Sequence, residues 1–205
     1  MKVKICGLRR ASDTGLAIEL GATHVGIVLA QDSPRCATIR EAQAIVRCAR
    51  GRATVVLVFR NERTNAIVRL ATDLGVNLVQ VHGADALRRR ELADAGLSVI
   101  PVASVTANAT ALPMLTGRSN VLVPALLDVG RGGTGRRFRW ELLAPAAPAN
   151  MFVAGGITPA NVCELMRYRP WGIDVSSGVE LAPGIKSPGL MRSLFAAVRA
   201  LGEVA

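Results

Sequence analysis

Aromatic residues make up only 3% of this 205-residue sequence, which also holds just two histidines and four cysteines. Each shortage excludes something. Few aromatics leave few platforms for stacking the bases of single-stranded nucleic acid. Cys6, Cys36, Cys48 and Cys163 form no C-x-x-C pair, and with two histidines no zinc-ligand spacing appears. No metal site is expected. The opening Met1–Gly7 is too short in its apolar part for a secretory signal, so reduced thiols are the expectation. No apolar run reaches the ~18–20 residues of a membrane span. These absences point to a soluble, cytoplasmic protein with no membrane partner.

Lysine is scarce too, limited to Lys2, Lys4 and Lys186, so the net charge of +10 is carried by arginine. The arginines scatter over the predicted helices. Their densest run, Arg88-Arg89-Arg90, falls on a polar helix face. Without a zinc-finger or RNP motif, such a surface supports only non-specific attraction, and no specific nucleic-acid partner is expected. The same field attracts a small anionic metabolite.

Half of the residues are apolar, enough for one good core and one domain spanning 1–205. Short Val- and Ile-rich runs alternate with helical patterns. The runs are Val3–Cys6, His24–Leu29, Thr54–Phe59, Leu78–Val81, Ser98–Val102, Val121–Leu126, Met151–Ala154 and Gly172–Val175. Continuous apolar runs suit parallel strands covered on both faces. Helices are predicted over Ser12–Leu20, Arg40–Arg50, Asn61–Leu74, Ala84–Ala95, Thr158–Tyr168 and Pro188–Leu201. Ser12-Asp13 is the expected cap of the first, and Gly21, Gly75 and Gly96 are expected stops. The fifth helix, between Ala103 and Asn120, is short or irregular, and Trp140–Leu143 gives a turn or two. Eight repeats of about 26 residues fit a compact single (β/α)8 barrel, an α/β fold with a closed parallel sheet. An open doubly wound sheet is the alternative.

Chemistry-bearing residues cluster at the predicted strand ends. The first strand closes with Cys6-Gly7, a thiol beside a residue that permits close approach. Arg35, in the loop after the second strand, is suited to a carboxylate. Gln80 and His82 end the fourth strand, whereas His24 starts the second and lies at the opposite end. Asp128 ends the sixth, followed by Gly130-Arg131-Gly132-Gly133-Thr134-Gly135. That loop is no nucleotide-binding P-loop, because Arg136-Arg137 stand where Lys and Ser/Thr are required. Finally, Ala154-Gly155-Gly156-Ile157 and Asp174-Val175-Ser176-Ser177-Gly178 put small residues after the last two strands. Two successive turns of this type describe a barrel's phosphate site, with Gly155, Gly156, Ser176, Ser177 and Gly178 as its candidates. The expected ligand is a small phosphorylated molecule.

Taken in order, these motifs resemble phosphoribosylanthranilate isomerase of tryptophan biosynthesis. The matching segments are Lys4–Leu8, Ser33–Arg35, Val79–Gly83, Leu127-Asp128, Gly132–Gly135, Phe138, Trp140, Ala154–Val162 and Asp174–Glu180, with Pro183-Gly184 and Lys186. The resemblance implies a barrel enzyme without cofactor, monomeric or homodimeric. It implies an Amadori rearrangement of N-(5-phosphoribosyl)anthranilate to 1-(2-carboxyphenylamino)-1-deoxyribulose 5-phosphate. By the same resemblance Cys6 is the general base and needs a lowered pKa. Asp128, about opposite in the ring, is the general acid and needs a raised one. Arg35 holds the anthranilate carboxylate, and Gln80, His82, Gly133 and Asp174 contact substrate. The sequence departs from the family at Phe138-Arg139-Trp140, where Asp is usual in the middle, and in the Leu29–Ser33 loop, which lacks the usual Phe and Lys. Other readings are the related histidine-pathway isomerase, which uses two aspartates, a silent phosphometabolite binder, and a basic nucleic-acid module. Cys6 together with Asp128 disfavours the first two.

Overall fold

The computed structural model describes residues 1–113, 123–130, 135–144 and 150–202. Its strands are β1 (Lys2–Ile5), β2 (His24–Val28), β3 (Thr54–Phe59), β4 (Leu78–Val81), β5 (Ser98–Ile100), β6 (Val102–Val105), β7 (Ala125–Val129), β8 (Met151–Ala154) and β9 (Gly172–Val175). All pair in parallel, in the order β5-β4-β3-β2-β1-β9-β8-β7-β6. The two edge strands, β5 and β6, are separated only by Pro101. Proline has no N–H to give a ladder, so it interrupts the strand, while its carbonyl still accepts from Leu126 N at 2.9 Å. β5 and β6 are therefore two halves of one stave. The ring closes through the chain itself, as an eight-stave barrel.

Strand alternation sorts the side chains. Val3 and Ile5 of β1 face outward into the layer between sheet and helices, whereas Cys6 joins the lumen. The lumen holds Val56, Val58, Leu78, Ile100, Leu126 and Phe152, a small apolar plug beneath the mouth. Outside it, the helices are α1 (Ala11–Leu20), α2 (Ile39–Ala49), α3 (Thr64–Leu74), α4 (Ala86–Asp94), α5 (Val162–Met166) and α6 (Pro188–Gly202). α2 shows why such segments are helical. Ala42, Ile45 and Ala49 form its buried stripe, and Thr38 and Glu41 make a reciprocal capping box. α1 and α3 end at Gly21 and Gly75 in the left-handed conformation, with φ of 113° and 65°.

Several boundaries differ from expectation. α1 starts at Ala11, ahead of Ser12-Asp13, with Arg10 at its N-cap and no side-chain cap. Asp13 instead pairs with Arg10 at 2.9 Å and accepts from Lys186 N at 3.1 Å. α3 begins at Thr64 rather than Asn61. α5 is only five residues long because the preceding turn is committed elsewhere: the Asn161 side chain accepts from Thr158 N and donates to Gly156 O. The sixth stave, β7, starts at Ala125 instead of Val121, and residues 121–122 lie outside the described ones. The fifth connection shows turns and no helix at 106–113, its remainder falling outside the described residues. A short antiparallel hairpin, β10 (Glu180–Ala182) with β11 (Ile185–Lys186), was not foreseen. Among the described residues no helix is long and apolar enough to cross a membrane.

The capping box makes a direct test of this local account. Thr38→Ala should lower unfolding free energy by about 1 kcal/mol in chemical denaturation. No measurable change would mean that packing of Ile45 alone sets the start of α2.

Candidate active site

A cavity of about 310 Å³ opens at the C-terminal ends of the staves. Its walls carry Cys6, Arg35, Gln80, His82, Asp128, Gly155, Gly156, Asp174, Ser176 and Ser177. Ten of the twelve residues singled out from sequence thus converge from the ends of five staves and the loop after β2. Gly178 stands behind the wall, where a Cβ would lie 1.8 Å from Ile157 O. Only glycine allows the turns after β8 and β9 to touch at that point. Gly133 lies outside the described residues.

The floor of the site is a buried ion pair. Lys4 and Asp174 are register partners on β1 and β9. Lys4 Nζ donates to Asp174 Oδ2 at 2.7 Å and to Gln80 Oε1 at 3.0 Å, with the lysine fully buried. Burial pushes Lys4 toward neutrality. The Asp174 charge and a Cys6 thiolate outweigh it, so its pKa ends above the usual lysine value. The other Asp174 oxygen, Oδ1, is buried without a hydrogen-bond partner, as is Ser176 Oγ. Both are polar atoms on the cavity wall that a bound ligand can satisfy.

Asp128 lies inside β7 and is almost entirely buried. Burial is the main reason its pKa rises, to about 7. The Asp174 charge pushes the same way, and a hydrogen bond from Val129 N and the Lys4 charge only partly oppose them. It is a carboxyl group able to give a proton near neutrality. Cys6 sits in the lumen because Gly26 leaves room: a Cβ there would come within 2.8 Å of Sγ. Its thiol does not behave as expected. Burial raises its pKa and Asp174 adds to the rise, while Lys4 and Lys186 pull it down without prevailing. The unliganded site holds a neutral thiol between two lysine charges. Nor do Cys6 and Asp128 face each other across the ring, since their staves are three apart rather than four.

A second buried network fixes the rim. Arg35 donates from Nε and Nη2 to both Glu180 oxygens at 2.8–3.0 Å. Glu180 also accepts from Lys186 Nζ at 2.8 Å and Gly184 N at 3.1 Å. Burial raises the Glu180 pKa, but the bonds from Arg35 and the Lys186 charge outweigh it and hold it below the usual glutamate value. Gly7, with φ of 73°, gives the Arg35 stem its path, because a Cβ there would lie 2.8 Å from Arg35 Cδ. The guanidinium is thus oriented before any ligand arrives, with Nη1 outside the carboxylate clamp.

Sequence reasoning assigned no role to Lys4, Glu180, Lys186 or Asn161, although all four fall in the matching segments. Lys4 carried a signal: a lysine two residues before Cys6 in an apolar strand shares its face. Glu180 and Lys186 are joined only by the hairpin, and Asn161 acts on backbone three and five residues away. Among the described residues no cluster of three or more His, Cys, Asp or Glu is placed to hold a metal.

A closed parallel barrel with its cavity at the strand C-termini defines the class, a (β/α)8 barrel with the site in its βα loops. The family follows from comparison. The N-(5'phosphoribosyl)anthranilate (PRA) isomerase family matches residues 3–197. A Pelobacter propionicus relative named N-(5'-phosphoribosyl)anthranilate isomerase is 38% identical over 198 residues, covering 95% of this chain and 94% of its own. A crystal structure of phosphoribosyl anthranilate isomerase from Thermus thermophilus superposes with a TM-score of 0.83 at 32% identity, over 98% of this chain and all of that one. Another structure of the isomerase, in complex with reduced 1-(o-carboxyphenylamino)-1-deoxyribulose 5-phosphate, gives a TM-score of 0.79 at 28% identity, covering 98% and 99%. The chain belongs to the phosphoribosylanthranilate isomerase family.

The raised Asp128 pKa has a thermodynamic consequence with a definite sign. The folded group binds its proton more tightly than the unfolded one, whose pKa is about 4. Folding therefore loses stability as pH rises from about 4 through about 7. Asp128→Asn cannot ionise. It should be more stable than wild type at about pH 8, by at most about 4 kcal/mol, and equal to it below about pH 4. Denaturant titrations at the two pH values check this, and a variant less stable at the higher pH contradicts it.

Proposed function

We propose that this single-domain barrel isomerises N-(5-phosphoribosyl)anthranilate to 1-(2-carboxyphenylamino)-1-deoxyribulose 5-phosphate, a step of tryptophan biosynthesis. The observation that carries the reading is the convergence on one cavity of a carboxyl group poised near neutrality, a thiol between two lysine charges, and paired glycine turns. Family membership supplies the substrate.

In this reading the phosphate sits against Gly155, Gly156, Ser176 and Ser177, with Gly178 allowing the two turns to close together. Backbone N–H groups suit a phosphate better than a single cation, because they surround it without adding titratable charge. Arg35, preset by Glu180, directs its remaining N–H groups at the anthranilate carboxylate.

Asp128 gives its proton to the ring oxygen. The C1–O bond breaks as the nitrogen lone pair forms C=N, and an iminium results. That cation adds to Lys4 and Lys186 in favouring a thiolate at Cys6, against the burial that keeps the thiol neutral in the empty site. The thiol proton leaves to solvent as the substrate binds, and the thiolate Sγ of Cys6 then takes the C2 proton. The electrons of that C–H bond form C1=C2, and the C=N electrons return to nitrogen. The enolamine tautomerises to the ketone when C1 gains a proton and the C2 hydroxyl loses one. Substrate and product are isomers, so no other reactant is consumed. Asp174 holds Lys4 in place, and its Oδ1 accepts a substrate hydroxyl.

The test uses freshly prepared phosphoribosylanthranilate and follows loss of its fluorescence. Wild type should turn it over. Cys6→Ser and Asp128→Asn should each lower kcat by ~10²–10⁴-fold, the usual scale for removing a general base or acid. Affinity for the product should persist in both, since neither group anchors phosphate or carboxylate. Near-normal kcat in either variant would remove that residue from the chemistry.

A further inference from the structure

One buried polar atom on the cavity wall has no use in the steps above: Nδ1 of His82. The bonds beneath it determine its state. Lys4 Nζ is a donor with no acceptor capacity. The Gln80 atom 3.0 Å from it must therefore be the carbonyl oxygen, which fixes the amide's orientation. The other end of the amide, Nε2, has only hydrogens to offer. It lies 2.8 Å from His82 Nε2. That ring nitrogen must accept, and so carries no proton. The imidazole proton is left on Nδ1.

From this chain of donors and acceptors we infer that His82 is a neutral imidazole protonated on Nδ1, a preset hydrogen-bond donor to an oxygen of the substrate. Charging the ring would put Nε2–H against the Gln80 amide hydrogens, donor against donor. Burial, with the nearby Lys4 and Arg60 charges, also holds its pKa down at about 4. His82 therefore does not carry the reaction's protons. It positions.

The ring order says which part of the substrate it reads. β4 lies four staves from β9 in either direction. His82, just past the end of β4, with its backbone N–H on Phe59 O, stands across the mouth from Ser176-Ser177. A substrate whose phosphate occupies that turn presents its other half to His82. The acceptor is an oxygen there, either the aryl carboxylate or a sugar hydroxyl. A substrate N–H at that point would leave two donors opposed and be rejected. The identity of the ligand rests on the isomerase reading, but the protonation state of the ring does not.

The test is nitrogen NMR on ¹⁵N-histidine protein. Only two imidazoles are present, His24 and His82, and His82→Asn assigns them. His82 should show a protonated Nδ1 and a bare Nε2, unchanged from about pH 8 to about pH 5.5, below the ordinary histidine pKa of ~6.5. A proton on Nε2, or titration to imidazolium in that range, overturns the assignment. Adding the reduced product analogue should shift the Nδ1–H resonance. If an analogue without the aryl carboxylate also shifts it, the acceptor is a hydroxyl; if it binds without a shift, the acceptor is the carboxylate. Binding of the full analogue with no shift overturns the donor role. In turnover, His82→Ala should raise KM about tenfold or more with a smaller change in kcat, the loss of one buried hydrogen bond. His82→Asn, whose amide can place an N–H near the Nδ1 position, should recover most of it, and equal losses in both variants contradict the proposal. Because the tautomer is read without turnover, failure of the isomerase reading and failure of this one are separately visible.

Discussion

Everything at the mouth of this barrel depends on the buried pair of Lys4 and Asp174. Placing a cation and an anion in a low-dielectric lumen costs several kcal/mol per ion, which an apolar pair of similar volume avoids. The geometry offsets that cost, with register partners on adjacent staves, a 2.7 Å contact, and Gln80 taking a further lysine hydrogen. The charges then act at a distance. Asp174 helps raise Asp128 toward neutrality, and Lys4 draws Cys6 toward thiolate. Through Gln80, Lys4 also dictates which nitrogen of His82 bears a proton. One pair thus biases a carboxyl group, a thiol and an imidazole. Replacing it with apolar side chains of the same volume would keep the barrel's packing but leave burial alone to set the state of Asp128 and Cys6.

The Arg35–Glu180–Lys186 network is a second arrangement of the same kind, built on the rim instead of the floor. Glu180 serves two cations from a short hairpin that is tied back to α1 through Asp13 and Arg10. The rim arginine is held by contacts that reach the outer helical layer. Between floor and rim stand the glycine turns, whose close approach at Gly178 and Ile157 excludes any side chain. In the proposed reading, backbone turns hold one end of the ligand and oriented side chains hold the other. Such preorganisation is what lets a small buried site act on proton positions with little rearrangement.

Much of the fold was legible because the staves are short, apolar and β-branched. Thr54–Phe59, Leu78–Val81, Met151–Ala154 and Gly172–Val175 read off the sequence at their observed ends. The break at Pro101 was not, since a strand that resumes after a proline carries no local signature. α5 was over-extended because the side chain of Asn161 competes for the backbone of the turn before it, a tertiary preference invisible to periodicity. In the site, strand ends exposed Cys6, Asp128, Gln80 and His82. Lys4 was missed because its meaning depends on Asp174, about 170 positions away, and on a register that only the closed ring creates. The state of the Cys6 thiol was legible least of all. A cysteine two residues from a lysine suggests an acidified thiol, yet burial outweighs both neighbouring lysines in the unliganded site.

The central claim is that burial in the lumen, helped by the Asp174 charge, holds Asp128 as a carboxylic acid near neutral pH. It is tested most directly by a carboxyl ¹³C NMR titration of aspartate-labelled protein, with the Asp128 resonance identified by its loss in Asp128→Asn. The account predicts an inflection at about 7. An inflection near the ordinary aspartate value of ~4 would contradict it, leaving the site without its acid.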